Sequence, residues 1–314
     1  TDFSADLTIM EEGTELLAHM AREGDKDAAE RLPMFTSCCP GWVRFVKAHY
    51  PQLVDHVSTS KSPQQMFGAV VKSYYADLLG LDPHGIFSVS IMPCVAKKAE
   101  ADIECMNDAC GDPDVDAVLT VREFDRMLRM FSIDCASLPE EGFDHPLGTS
   151  TGAGTIFGRT GGVMEAALRT AAYLITGTTL PIEATDCTAA TPEEPWTSKT
   201  LDVGGMEVRI AIASGLENAS KLLDALAADE VEFDFVEVMA CPGGCVGGGG
   251  QPIAFNQELA KERAAVLNAL DGADVLRMSH ENPDVQKLYA DWIGEPLSPT
   301  AEAWLHTDQL AWDI

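Results

Sequence analysis

At 314 residues with 46% hydrophobic content, the chain can bury a substantial core as one large domain or two ordinary ones. Its formal charge of -29 argues against nucleic acid or an anionic membrane surface as partner. No run of about eighteen or more uncharged apolar residues occurs, which argues against a transmembrane helix. So many carboxylates suit a well-solvated acidic surface, a salt-rich habitat or a basic redox partner.

In chain order, residues 7 to about 23 read as a helix, with Leu7, Met10, Leu17 and Met20 near helical spacing and acids in the first turns. A polar insertion follows at 25–31. Residues 42–57 read as partly helical, broken at Pro51. Pro63 opens a helix that runs to 79 and stops at Gly80. A strand covers 86–91, and a helical stretch begins at Lys97. Next come a short buried strand at 115–121, a helix at 122–131, a long loop at 137–162 and a helix at 163–175. The stretch 185–199, with its Pro, Thr and Glu, is the best linker candidate. After it lie a strand at 206–213, a helix at 216–228, an alternating, half-buried strand at 233–238, and C-terminal helices at 284–292 and 299–305. This alternation points to an α/β fold, in which ligand loops sit at the C-terminal ends of strands.

The chemistry gathers in three cysteine loops. The richest runs Met239-Ala240-Cys241-Pro242-Gly243-Gly244-Cys245-Val246, followed by four more glycines at 247–250. Glycines there allow unusual backbone angles and let the chain approach a bulky ligand. The others are Thr36-Ser37-Cys38-Cys39-Pro40-Gly41-Trp42 and Met92-Pro93-Cys94-Val95-Ala96-Lys97. Thiolates are soft ligands, and an iron–sulfur cluster heads the candidates. Zinc favours short Cys-x-x-Cys knuckles, a spacing these loops lack. The chain has nine cysteines, but a disulfide framework belongs to short secreted proteins. Cys105 and Cys110 are near enough in sequence to clip a loop or bind a metal, but free thiols are the simpler reading. They, Cys135 and Cys187 receive no role. The glycine-rich run at 148–158 lacks the Gly-Lys-Ser/Thr ending of a phosphate loop and reads as a structural or cofactor-packing loop.

Taken together, the three loops resemble the signature loops of the FeFe hydrogenases, and the resemblance extends from Asp6-Leu7-Thr8-Ile9-Met10-Glu11-Glu12 to Ser279-His280-Glu281-Asn282. It implies two lobes with mixed and parallel sheets flanked by helices, and an H-cluster in the cleft between them. The whole of 1–314 would be the H-cluster domain, with lobes near 1–184 and 200–275 and a helical C-terminal wrap at 276–314. By the same resemblance, Cys39, Cys94, Cys241 and Cys245 hold a 4Fe-4S cube. Cys245 also bridges to a di-iron subsite with CO, CN and a bridging dithiolate amine. Lys97 faces an iron-bound cyanide. Ser62, Pro63, Gln64, Met92, Phe157 and Met239 line or pack the cavity, with ordinary core packing the alternative for the two methionines. Cys38 is no ligand but exchanges protons with the amine, and a chain through Glu15, Ser58 and Glu12 leads to the surface. His19 stands where relatives often carry Arg at the outer end.

The implied activity is reversible interconversion of H2 with protons and electrons. Electrons would enter through the cube from a ferredoxin, a cytochrome or another redox subunit, and dedicated maturation enzymes would build the subsite. Two other readings remain. A hydrogen-sensing homologue usually replaces the cysteine at position 38, and the related iron–sulfur assembly factors do not carry the Lys97 and Thr36-to-Trp42 loops in this form. The family's domain begins upstream of the Asp6-to-Glu12 match, so a companion chain or a preceding segment is expected to supply the rest of the first lobe. The compartment is left open between cytoplasm, which is preferred, and periplasm.

Overall fold

A computed structural model describes residues 1–21, 32–254 and 259–313. The end of the first expected helix and the 25–31 insertion lie outside them. The architecture is mixed α/β, with parallel strand pairs flanked by helices.

The central sheet has the order β1 (Met34–Phe35), β6 (Phe235–Met239), β5 (Met206–Ser214), β4 (Thr197–Val203). Strand β6 runs parallel to both neighbours, with Phe35 opposite Val236 on one side and Ala211 opposite it on the other. Only β4 is antiparallel, joined to β5 through Gly204 and Gly205. Every residue of β6 is buried, so the half-buried strand expected from its alternation is corrected. The charged residue that creates the alternation, Glu237, points inward. Its carboxylate accepts the backbone N–H groups of Gly161 and Met164 at 2.7 Å each, at the start of a long helix. Helix N-termini hold anions through such unpaired amides.

Helices cover both faces of this sheet. On one, α1 (Asp2–Ala21) and α7 (Gly162–Thr176) pack Ile9, Leu16, Val163, Met164 and Ala167 against Ile210, Ile212 and Phe235. On the other, α2 (Pro40–His49) and α9 (Leu216–Ala227) contribute Trp42, Val43, Val46 and Leu222 against Phe35, Ala211 and Val236. A third core joins α1 to α3 (Pro63–Val70) and to the C-terminal helices α11 (Pro283–Leu288) and α12 (Pro299–Leu305). The helix beginning at Pro63 continues through a wider turn at Val71–Tyr75 to Ala76–Leu79, and Gly80 caps it, as the sequence predicts. A separate parallel pair, β2 (Val89–Met92) and β3 (Ala117–Thr120), leads into α4 (Ala96–Ala101) and α5 (Val121–Met130). Thr120 and Glu123 form a reciprocal capping box at the start of α5.

Several elements depart from the sequence reading, the strand β1 among them. The long loop at 137–162 contains α6 (Gly152–Ile156), capped by Thr151, whose hydroxyl donates to Asp6 Oδ1 at 2.6 Å. The linker stretch ends in a strand, because β4 is an edge strand whose apolar residues are few and whose polar face looks outward. Helix α10 (Ala260–Ala273) has no apolar face to read: Asp271 is its one buried residue, held by Arg169 and Arg277. The short α8 (Ile182–Thr185) precedes the linker stretch.

Trp42 is fully buried, three residues past Cys39, with its ring 5.5 Å from that of Phe35. Trp42→Ala is expected to cost about 3–5 kcal/mol through lost burial and a residual cavity, read as a lower urea midpoint at unchanged slope.

Candidate metal-cluster site

Strands β1 and β6 are parallel neighbours, so the chain leaves both at the same end of the sheet. Thr36–Trp42 follows β1, and Ala240–Gly250 follows β6. They meet directly: the Ala240 N–H donates to Cys39 Sγ at 3.5 Å. The third loop, after β2, joins through Gly250 N–H to Pro93 O at 2.8 Å. Gly244 sits at φ 92°, and a Cβ there would lie 2.6 Å from Thr160 N and 2.7 Å from Arg159 C. Only glycine fits, which pins the Cys241–Cys245 turn against the 158–160 segment.

Cys39, Cys94, Cys241 and Cys245 are all free thiols. They are close enough to repel as thiolates: Cys39 feels Cys94 and Cys241, and Cys245 feels the other three. Burial is the first cause pushing the Cys39 thiol up to about 11, and it raises Cys241 and Cys245 too. Yet no three of these sulfurs fall within 4.8 Å of one another. A single zinc at its usual bond length of roughly 2.3 Å would need sulfurs roughly 3.8 Å apart. The four thiols therefore fit a polynuclear cluster, whose positive irons would hold them as thiolates against the effect of burial.

Lys97, on the first turn of α4, reaches into the same space. Its Nζ donates to Cys38 O at 3.1 Å and to Glu100 Oε2 at 2.9 Å. Burial opposes its charge, but the Glu100 carboxylate outweighs burial and raises its pKa. Gln64 bridges this group, donating to Lys97 O at 3.2 Å and accepting from Ser90 Oγ at 2.7 Å. Pro63 starts α3, and Ser62 is buried with its hydroxyl unpartnered. Met92 and Met239 are buried, and Phe157 packs on the core that contains Met239 and Cys38. Glu100 carries one signal in the sequence, its spacing of three from Lys97 on a helix.

Cys38 is buried, and burial first, then Glu12, raises its thiol well above the ordinary value. Glu12 accepts the Ser37 N–H at 3.1 Å through Oε1, while its Oε2 is buried without a partner. Desolvation pushes Glu12 up to about 8, with Glu15 adding to the rise and Ser37 and Ser58 opposing it. Ser58 Oγ donates to Glu15 Oε2 at 2.6 Å. Burial also acts on Glu15, but the nearby His19 imidazole and hydrogen bonds from Ser58 and Thr59 outweigh it and hold its pKa below the usual value. The structure thus brings Cys38, Glu12, Ser58 and Glu15 together, with His19 3.9 Å from Glu15. A branch that the sequence did not reveal leaves Glu15 through the Thr59 hydroxyl (2.9 Å) to His306 Nδ1 (2.8 Å), whose Nε2 lies 3.0 Å from Glu11.

Residues 1–249 match the family model of the C-terminal domain of the iron-only hydrogenase large subunit, and residues 257–308 that of the iron hydrogenase small subunit. The chain is 50% identical over 311 residues to the NADP-reducing hydrogenase subunit HndD of Solidesulfovibrio fructosivorans, covering 98% of itself and 52% of that protein. It is 31% identical to the cytosolic Fe-S cluster assembly factor narfl of Xenopus tropicalis, covering 98% of itself and 64% of that relative. The chain thus spans about half to two thirds of the length of these relatives. Among solved structures, the apo FeFe-hydrogenase HydA1 from Chlamydomonas reinhardtii, variant C377H, superposes with a TM-score of 0.81 at 43% identity, over 97% of this chain and 82% of that one. With family models matching residues 1–249 and 257–308 and a hydrogenase structure matching over 97% of its length, the chain belongs to the iron-only hydrogenase family.

Proposed function

We propose that this chain is the catalytic domain of an FeFe hydrogenase, which interconverts two protons and two electrons with H2 at an H-cluster. The observation that carries this reading is the buried Cys38 thiol beside an acid of raised pKa, Glu12, itself linked outward to Ser58 and Glu15. Holding a cluster requires no such chain of groups. When bound, the H-cluster supplies the heterolytic cleavage and formation of hydrogen. Cys39, Cys94, Cys241 and Cys245 would hold it, and Lys97 would donate a charge-assisted hydrogen bond to an anionic ligand in a poorly solvated pocket. Ser62, with its free hydroxyl, lies beside that pocket in this reading.

The protein's remaining task is to move protons. Glu15 is the stronger acid of the pair and Glu12 the weaker, so a shared proton rests on the inner carboxyl. The Ser58 hydroxyl relays between them, and the inner proton would restore the Cys38 thiol once that thiol has given up its own proton. Electrons would come from a ferredoxin, a cytochrome or another redox subunit. The alternative, a cluster-holding assembly factor, gains weight from the narfl likeness. Infrared spectra of protein matured with the hydrogenase assembly enzymes separate the two. Carbonyl and cyanide bands accompanied by hydrogen evolution support a hydrogenase; their absence after maturation, at full cube occupancy, sinks it.

We also infer that further polypeptide covers the β2–β3 pair. Among the described residues this is a two-stranded parallel sheet, and parallel sheets are normally covered on both faces. Phe87, Met130 and Phe131 around it are each more than 70% exposed. No helix among the described residues is long and apolar enough to cross a membrane.

Cys38→Ser should leave iron content near normal and lower hydrogen turnover by roughly two orders of magnitude or more, since a hydroxyl is a far weaker acid than a thiol. Cys241→Ala should lose iron and stability together. Iron analysis and hydrogen evolution on the same samples decide; iron loss in the Cys38 variant would make it a ligand.

Glu12 also makes a pH prediction. Its pKa is pushed up from 4.5 to about 8, so between those values the folded chain holds a proton that the unfolded chain has lost. Stability supplied by the protonated carboxyl is complete below about 4.5 and lost as pH rises through 8. Glu12→Gln should therefore gain urea resistance relative to the parent as pH is raised from about 5.5 to about 8. A pH-independent difference would rule this out.

A further inference from the structure

Away from the thiol loops, one group of metal-ligating side chains converges. We propose that His84, Cys110 and Asp112 form a second metal site, suited to a divalent ion of the zinc class. One ligand atom from each lies within 4.8 Å of the other two, a convergence found nowhere else among the described residues. His84 Nδ1 is 2.9 Å from Asp112 Oδ2. An exposed His–Asp ion pair alone would be a weak surface contact, but it does not account for a thiol placed beside both partners.

The backbone prepares this arrangement on both sides. Gly111, at φ 86°, separates Cys110 from Asp112, a conformation that glycine adopts without strain. Its N–H donates to Asn107 O at 3.0 Å and closes the turn. Across from it, Asp82 Oδ1 accepts the His84 N–H at 3.1 Å and fixes the Pro83–Gly85 turn. Neighbouring acids are engaged elsewhere: Asp108 and Asp114 bind Lys61, and Asp116 binds Lys72. Among the described residues Asp112 pairs with no lysine, and it faces the imidazole and the thiol.

Thiolate and imidazole together select a borderline or soft ion over magnesium or calcium, and three protein ligands leave one position for water. Coordination would release the Cys110 proton to solvent, so affinity should rise with pH. The site would join two segments that enter the β2–β3 pair. Just beyond them, the Ser88 N–H donates to Asp116 Oδ2 at 2.6 Å, and Val89 pairs with Ala117. The ion would act as a clip at the start of the strand that delivers Cys94.

The test uses the purified full chain with its iron in place. After incubation with zinc chloride and desalting, zinc and iron are counted together. Zinc-edge X-ray absorption, which is blind to iron, reads the ligands. About one zinc per chain with one sulfur neighbour is expected. Cys110→Ser and His84→Ala should each weaken binding on the order of 100-fold, measured against a chromogenic chelator, with iron unchanged. If either variant loses iron, Asp112→Asn provides the same comparison with less change of shape. A wild-type chain that retains no zinc, a zinc shell without sulfur, or affinity unaltered by the substitutions overturns the site.

Discussion

The pairing of β1 with β6 is the contact on which the cluster site depends. It amounts to two residue pairs, Met34 with Phe235 and Phe35 with Val236, continued by the Thr36 N–H to Val236 O and the Val238 N–H to Thr36 Oγ1. A slip of one residue would turn alternate side chains to the opposite face, carrying Cys38 and Cys39 away from Cys241 and Cys245. So short a ladder cannot fix register by its hydrogen bonds. Burial does so: Phe35, Phe235 and Trp42 are fully enclosed, and each would be displaced by the slip. The core and the site are thus one construction, in which apolar packing sets the distance between thiols some two hundred positions apart in sequence.

Within that frame, several charges lie where charges are costly. Glu12, Glu15, Lys97, Glu100 and Glu237 are all buried, and an unpaired buried charge is strongly destabilising. Their solutions differ. Lys97 and Glu100 neutralise each other, while Glu237 spends its oxygens on two helix amides and is still pushed by burial up to about 7. Glu237 shows that a raised pKa does not by itself mark a working residue, since burial raises it against two amide contacts that serve the fold. Glu12 is different because one of its oxygens is left without a partner, beside a serine already committed to Glu15. A group held incompletely satisfied at such cost is the better candidate for exchange.

What could be read in advance follows from locality. The cysteine loops, the capped helix from Pro63 and the strand into Cys94 are written in adjacent residues, and the resemblance found them at once. Strand β4 was hidden because an edge strand needs few apolar residues, and α10 because its one buried side chain is an aspartate paired with two arginines. Through-space partners were invisible for the same reason. Nothing near Glu15 in sequence announces His306, and Gln64, read as lining the cavity, also ties Lys97 to Ser90. The burial of Glu237 reversed the meaning of an alternating pattern, since period two reports exposure only when the charged face meets water.

The family likeness reaches both a hydrogenase subunit at 50% identity and an assembly factor at 31%, over nearly the whole chain in each case. Likeness of sequence alone therefore does not distinguish retention of iron from turnover of hydrogen. The distinction must rest on groups that bind no metal. The proposed candidates for such groups form one continuous set: the Lys97 ammonium donates to the Cys38 carbonyl, Ser37 next to it donates to Glu12, and Glu12 adjoins Ser58 and Glu15. Each contact constrains the next, so the position of the Cys38 thiol is determined from the α4 side and the α1 side at once. Such double support is what the proton-donor role proposed for Cys38 requires, because transfer depends on distances fixed to a fraction of an ångström.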